Sequence, residues 1–140
     1  MATNTKSATK GLFKVRTDQR SDVRADVLSF EDSGTGYKVS FNEGVGGIME
    51  QKTYFVLGFP DKSPSGNYDV KQLTEAIYKE WSEYHSYDYA AKSGFVTVSY
   101  SDSPRTTEGK FDIDMELQGN PVPPGPRHLK VSGTFNLQRT

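Results

Sequence analysis

The densest group of chemically capable side chains is Trp81-Ser82-Glu83-Tyr84-His85-Ser86-Tyr87-Asp88-Tyr89. Aromatic rings with polar edges serve as platforms for sugars, peptides and protein surfaces. Trp81, Tyr84, His85, Tyr87 and Tyr89 are therefore the candidate ligand-binding residues. The carboxylates among them repel phosphate, so no nucleic-acid partner is expected. The same rings would equally well anchor a connecting segment to a core.

A second group is Asp112, Asp114 and Glu116, which alternate and so share one face of a strand. Neighbours at this spacing stand about 6.6–6.8 Å apart. Hard cations such as calcium take clustered carboxylate oxygens, which makes these three the metal candidates. Paired carboxylates also suit glycoside hydrolysis. On an open strand they would lack the burial that raises a general acid's pKa. Lys130 offers them an ordinary cross-strand partner. The histidines, His85 and His128, have no partner at a recognised metal-binding spacing. No Gly-x-Ser-x-Gly elbow accompanies them. No catalytic residue is assigned, no cofactor is expected, and a non-enzymatic protein is the leading expectation.

The elements that must position these groups read mostly as strands. Period-two alternation bounded by turn residues marks residues 11–17, 23–30, 37–42, 95–101, 109–117 and 128–137. The predicted inward sets include Phe13 and Val15, then Val23, Ala25 and Val27, then Tyr37, Val39 and Phe41. Later sets are Phe111, Ile113, Met115 and Leu117, then Leu129, Val131, Gly133, Phe135 and Leu137. An inward Gly133 implies close approach of a ring or of backbone. Residues 53–59 are the most apolar run and suit a central strand buried on both faces. Residues 31–36, 60–66 and 102–105 read as turns or loops. The proline-rich segment 119–126 cannot join a central ladder. Gly44-Val45-Gly46-Gly47 reads as a flexible turn, with no Lys-Ser or Lys-Thr to make it a phosphate loop. Leu73, Ala76, Ile77 and Trp81 follow helical spacing, and Asp69 with Gln72 makes an N-terminal cap. The class expected is all-β and mainly antiparallel: a sandwich or, alternatively, a small closed barrel, with one amphipathic helix at about 70–83.

The chain has 140 residues, enough for one domain, expected over 10–140 behind a disordered tail at 1–9. Eight Phe, eight Tyr and one Trp supply its core. Seventeen basic against eighteen acidic residues leave a net charge of -1, so no global anion-attracting field exists. Within 1–24, six basic residues (Lys6, Lys10, Lys14, Arg16, Arg20, Arg24) face only Asp18 and Asp22. That surplus is either a solvated face or a dock for an acidic partner. The absence of cysteine excludes disulfides, thiolate nucleophiles and zinc-thiolate sites. No run nears the roughly 20 apolar residues of a membrane span, and no signal sequence is read, so a cytoplasmic location is expected. Gly109-Lys110-Phe111, followed by Lys130-Val131-Ser132-Gly133-Thr134-Phe135, resembles the ending of uncharacterised bacterial β-sandwich proteins. The likeness brings no functional residues with it.

The function expected is therefore a small non-enzymatic module binding a small molecule, a carbohydrate or a protein. One alternative is a metal-dependent or carboxylate-based hydrolase. Another is a lipid-contacting β-protein with exposed rings at one end. Open sheet edges would allow a symmetric homodimer.

Overall fold

The computed structural model describes residues 9–19, 23, 25–43 and 52–139. Of the tail expected at 1–9 only Thr9 is among them, and the glycine-rich segment 44–47 lies outside them. The strands are β1 (Thr9–Thr17), β2 (Val27–Ser33), β3 (Gly36–Asn42), β4 (Lys52–Phe59), β5 (Ser65–Asp69), β6 (Glu75–Trp81), β7 (Ser86–Asp102), β8 (Arg105–Leu117) and β9 (His128–Arg139). All pair antiparallel in one sheet of order β1-β9-β8-β7-β6-β4-β3-β2, and β5 pairs with β7 beyond the end of β6. This is the all-β class that the alternation predicts. The sandwich expected first is not formed, because all the strands join one sheet; the structure has the alternative, a barrel, nearly closed. In the link from β1 to β2, Val23 bridges back to Val15 of β1.

The barrel's interior is filled by rings. Phe13 of β1 lies 5.0 Å from Phe41, 5.4 Å from Phe135, 5.9 Å from Phe55 and 6.1 Å from Phe111, centroid to centroid. One side chain therefore joins β1 to β3, β9, β4 and β8. Aromatic pairs at these separations add to the stabilisation from burial alone. Tyr37 holds the next layer, stacked 4.8 Å from Phe59 and tilted against Tyr100 at 4.9 Å. Its hydroxyl is 3.0 Å from Thr107 Oγ1. Thr107 donates its own proton to the Ser99 carbonyl, so Tyr37 is the donor. Beyond that layer, Asp32 pairs with both Lys62 and Arg105, and the Arg105 guanidinium lies over the Phe30 ring.

The helix expected at 70–83 is not formed. Its cap is: Asp69 Oδ1 accepts from the Lys71 amide, and Gln72 Oε1 accepts from the Asp69 amide. A single 3-10 turn, Val70–Gln72, follows, and β6 begins at Glu75. The strand period was hidden by residue type. Tyr78 and Glu80 point inward and are buried, while Ile77 and Trp81 point outward. Ile77 is tolerated there because it faces Val56, which is buried on the outer side of β4. Pairing on both sides, with β4 and β7, outweighs a weak helical pattern built from Ile, Tyr and Trp.

The second predicted strand also shifts. Val23 is buried as expected, but Val27 points outward and Phe30 takes the core. Residues 27, 28 and 30 are all apolar, and the largest ring claims the interior beside Tyr37 and Tyr100. In β7 a bulge between Ala91 and Ser93 changes the parity. Tyr87 and Tyr89 face inward before it, and Val96, Val98 and Tyr100 after it.

The close approach expected at Gly133 is present. A Cβ there would stand 1.9 Å from the Lys14 carbonyl oxygen and 3.1 Å from the Phe111 ring. Gly133 pairs with Phe111 across β8 and β9, and Gly109 pairs with Phe135 two residues on. Each ring covers its partner glycine. By contrast, Gly34, in the β2–β3 turn, has open space but a φ of +58°. Gly133→Ala is expected to cost about 3 kcal/mol through overpacking. Gly34→Ala is expected to cost about 1 kcal/mol through the left-handed backbone alone. Urea titration of the two variants measures both.

Candidate functional site

Two regions compete for a functional role, one at a barrel end and one on the outer wall. The first is the aromatic segment at 81–89, which spans the β6–β7 hairpin. The structure divides its residues. Tyr87 and Tyr89 point inward and are buried, at 9% and 1% exposure. Trp81 is half-buried on the outer side, and Tyr84 at the hairpin tip is 66% exposed. His85 stacks on Tyr87 with ring centroids 4.5 Å apart. A Cβ on Gly125 would lie 2.9–3.1 Å from three atoms of the same tyrosine ring. Tyr87 is thus held between the hairpin and the proline-rich strap that joins β8 to β9.

The polar edges of the buried rings hold that strap too. Tyr87 donates to the Pro123 carbonyl at 3.0 Å, and Tyr89 to the Pro126 carbonyl at 2.9 Å. Arg127 donates to the carbonyls of Gly119 and Leu117 and ties the strap's two ends together. Proline carbonyls suit this role, because a proline-rich segment has few amide donors with which to satisfy them. Tyr87 and Tyr89 therefore anchor a connecting segment. Trp81, Tyr84 and His85 remain at the surface beside it.

Ser82 Oγ lies 3.0 Å from His85 Nδ1 and accepts from the Tyr84 amide at 3.1 Å. The Ser82 amide also donates to the His85 carbonyl. These contacts are local to a four-residue hairpin turn. They fold that turn back on itself.

The carboxylates Asp112, Asp114 and Glu116 share the outer face of β8, as their spacing requires. Each has its own neighbour. Lys130 stands 4.0 Å from Asp112, Ser93 donates to Asp114, and Lys92 stands 3.7 Å from Glu116. Among the described residues no three His, Asp or Glu side chains gather where they could hold a metal. His128 pairs across the ladder with Glu116 at the start of β9 and is exposed.

Two features were missed in the sequence. One is a polar row at the strap end, where Glu43, Thr53 and Glu80 are buried. The Glu43 amide donates to the Thr53 carbonyl, Thr53 pairs with Glu80, and Tyr78 donates to Glu80 at 3.4 Å. Alternation through Ala76, Tyr78 and Glu80 was its only sequence signal.

The other is a depression of about 440 Å³ on the outer wall of β1, β9, β8 and β7. The side chains around it include Leu12, Lys14, Thr97, Ser99, Glu108, Lys110, Thr134 and Asn136. Pairing registers place them in two rows. One runs Leu12, Asn136, Glu108, Ser99, and the next runs Lys14, Thr134, Lys110, Thr97. Leu12 stands 63% exposed at its edge. Thr97 gives its hydroxyl proton to Asn67 on β5 at 2.7 Å, so it presents lone pairs to a visitor. All but Glu108, which precedes the strand expected at 109–117, sit at outward positions of predicted strands, and only the register brings them together.

Two outcomes test the strap. Tyr87→Ala should speed tryptic cleavage after Arg127, followed by mass spectrometry, because the strap loses its central anchor. Burial, reinforced by the charge of Glu80, pushes the Tyr89 phenol up to about 12. The folded state then holds a proton that the unfolded chain releases near pH 10. Stability should be complete below pH 10 and fall between pH 10 and pH 12, with a shallower fall in Tyr89→Phe, as read by urea midpoints. Set against known protein families, curated proteins and solved structures, the chain matches none.

Proposed function

We propose that the protein is a non-catalytic binding barrel that takes its ligand on the outer wall of β1, β9, β8 and β7. The observation that carries this reading is the contrast between a filled lumen and a shaped exterior. Phe13, Phe41, Phe55, Phe111 and Phe135 occupy the interior, where an open barrel would hold a ligand. The exterior offers a depression of about 440 Å³ on rigid strands, where hydroxyl, amide and charged groups surround an apolar base of Leu12, Val98 and Phe135. That volume falls within the range of about 300–1,000 Å³ usual for ligand sites. Strand-borne side chains are positioned more tightly than loop-borne ones.

A second reading has its own observation. Tyr84 and Val122, which is 90% exposed, project from the hairpin and the strap at one end of the barrel. That tip suits contact with a lipid surface.

Amide shift mapping by NMR during a screen of sugars, acidic and neutral peptides, divalent metals and lipid vesicles separates the two. Shifts clustered on β1, β7, β8 and β9 are the expected result. Shifts confined to 81–89 and 118–127, or none with any ligand class, would overturn the outer-wall reading.

A further inference from the structure

Resting on the outer-wall reading, the geometry points to a ligand class, and we propose that this wall binds an acidic oligosaccharide. Its hydroxyls would meet Thr97, Ser99, Thr134 and Asn136, and its carboxylate or sulfate groups would meet Lys14 and Lys110.

The charge arrangement comes first. Lys14 and Lys110 are the register neighbours of Thr134 on either side, so their backbones stand roughly 10 Å apart across one row. Among the described residues neither takes part in an ion pair. The cations Lys38, Lys62, Lys92, Arg105 and Lys130 each have a carboxylate partner. Two unneutralised ammonium groups thus flank the Thr134 hydroxyl. Lys10 and Arg16 continue the positive edge along β1, two positions away on either side of Leu12 and Lys14. The lining of the depression carries these two lysines against one carboxylate, Glu108.

The hydrogen-bonding surface decides between a sugar and a peptide. β8 and β9 are paired on both sides along the floor, so their backbone groups are already used in the ladder. A peptide main chain has no ladder edge to extend there. The Ser99 and Thr134 hydroxyls and the Asn136 amide remain, and they both donate and accept. A sugar carries the same two-way groups at close intervals. Glu108 and the lone pairs of Thr97 accept sugar hydroxyl protons, and the exposed Leu12 offers an apolar contact to a ring's C–H face.

The shape favours a chain over a single sugar. A second depression of about 290 Å³ shares Ser99, Glu108 and Asn136 with the first and runs on to Ser101 and Thr106. A third of about 270 Å³ shares Leu12 and Asn136 and runs on to Lys10 and Gln138. Both open onto one further register row, Lys10, Gln138, Thr106 and Ser101, so the three together make a surface three rows deep across four strands.

Calorimetric titration of the full chain tests this with oligogalacturonate, a heparin-derived oligosaccharide, a neutral cello-oligosaccharide and a poly-glutamate peptide. The expected result is binding of at least one acidic oligosaccharide, weakened by salt. The double variant Lys14→Gln/Lys110→Gln should lose roughly tenfold or more, as for charge-assisted hydrogen bonds. Asn136→Ala should weaken the same ligand several-fold. Which of the uronate and sulfate arms binds names the anionic group. Tighter binding of the neutral chain, unaffected by the lysine variants, would overturn the acidic class and leave the outer-wall reading standing. Binding of poly-glutamate in preference to either acidic sugar would do the same. Acidic-sugar binding unmoved by the lysine and Asn136 variants would overturn both, as would the absence of binding together with no outer-wall shifts in the NMR screen.

Discussion

β1 reaches its place because the β1–β9 ladder carries no side chain at Gly133 or at Gly11. A methyl group at Gly133 would collide with the Lys14 carbonyl oxygen. With that contact allowed, β1 lies close enough to bring Phe13 into the centre of the barrel. Its ring then touches rings from four other strands. The packed lumen and the exposure of Lys10, Leu12, Lys14 and Arg16 on the outer wall follow from this close pairing. The interior cannot be both packed in this way and open to a ligand. That leaves the outer wall as the place for the ligand proposed above.

The division of labour along β7 follows from its bulge. One strand must contribute tyrosines to the strap end and valines to the opposite half, at positions of opposite parity. The extra residue near Lys92 permits both. It also leaves Phe95, Thr97 and Ser99 facing outward together, with Phe95 61% exposed. A regular strand with Tyr87 and Tyr89 inside would have turned Val96 and Val98 to solvent.

Much of this was legible in the sequence, and the limits have physical causes. Strands whose inward residues are all apolar, such as Phe111 to Leu117, announced their faces directly. Gly133 announced a close approach because an inward glycine in a strand needs a reason. β6 stayed hidden because its inward positions hold Tyr78 and Glu80 while its outward positions hold Ile77 and Trp81. Composition there points against burial. The capping pair Asp69 and Gln72 is real but caps a single turn, since capping signals a start and says nothing of length. The aromatic cluster was visible, yet its partner, the strap at 118–127, is distant in sequence. Tyr87 and Tyr89 could be assigned as anchors only once the fold brought the Pro123 and Pro126 carbonyls over them. The outer wall was the least legible part. Small polar residues on outward positions look alike until the register aligns them.

The two glycine–phenylalanine pairs of β8 and β9 carry a consequence for how this barrel can vary. Phe111 fills the space above Gly133, and Phe135 the space above Gly109. Each pair holds a fixed volume shared unequally between two strands. A change at one member alone leaves either a void or a collision, so the two positions are free to drift only as a unit. The wall outside them is under no such restraint. Heredity in this fold should therefore be written in couplets on the inside and in single letters on the outside.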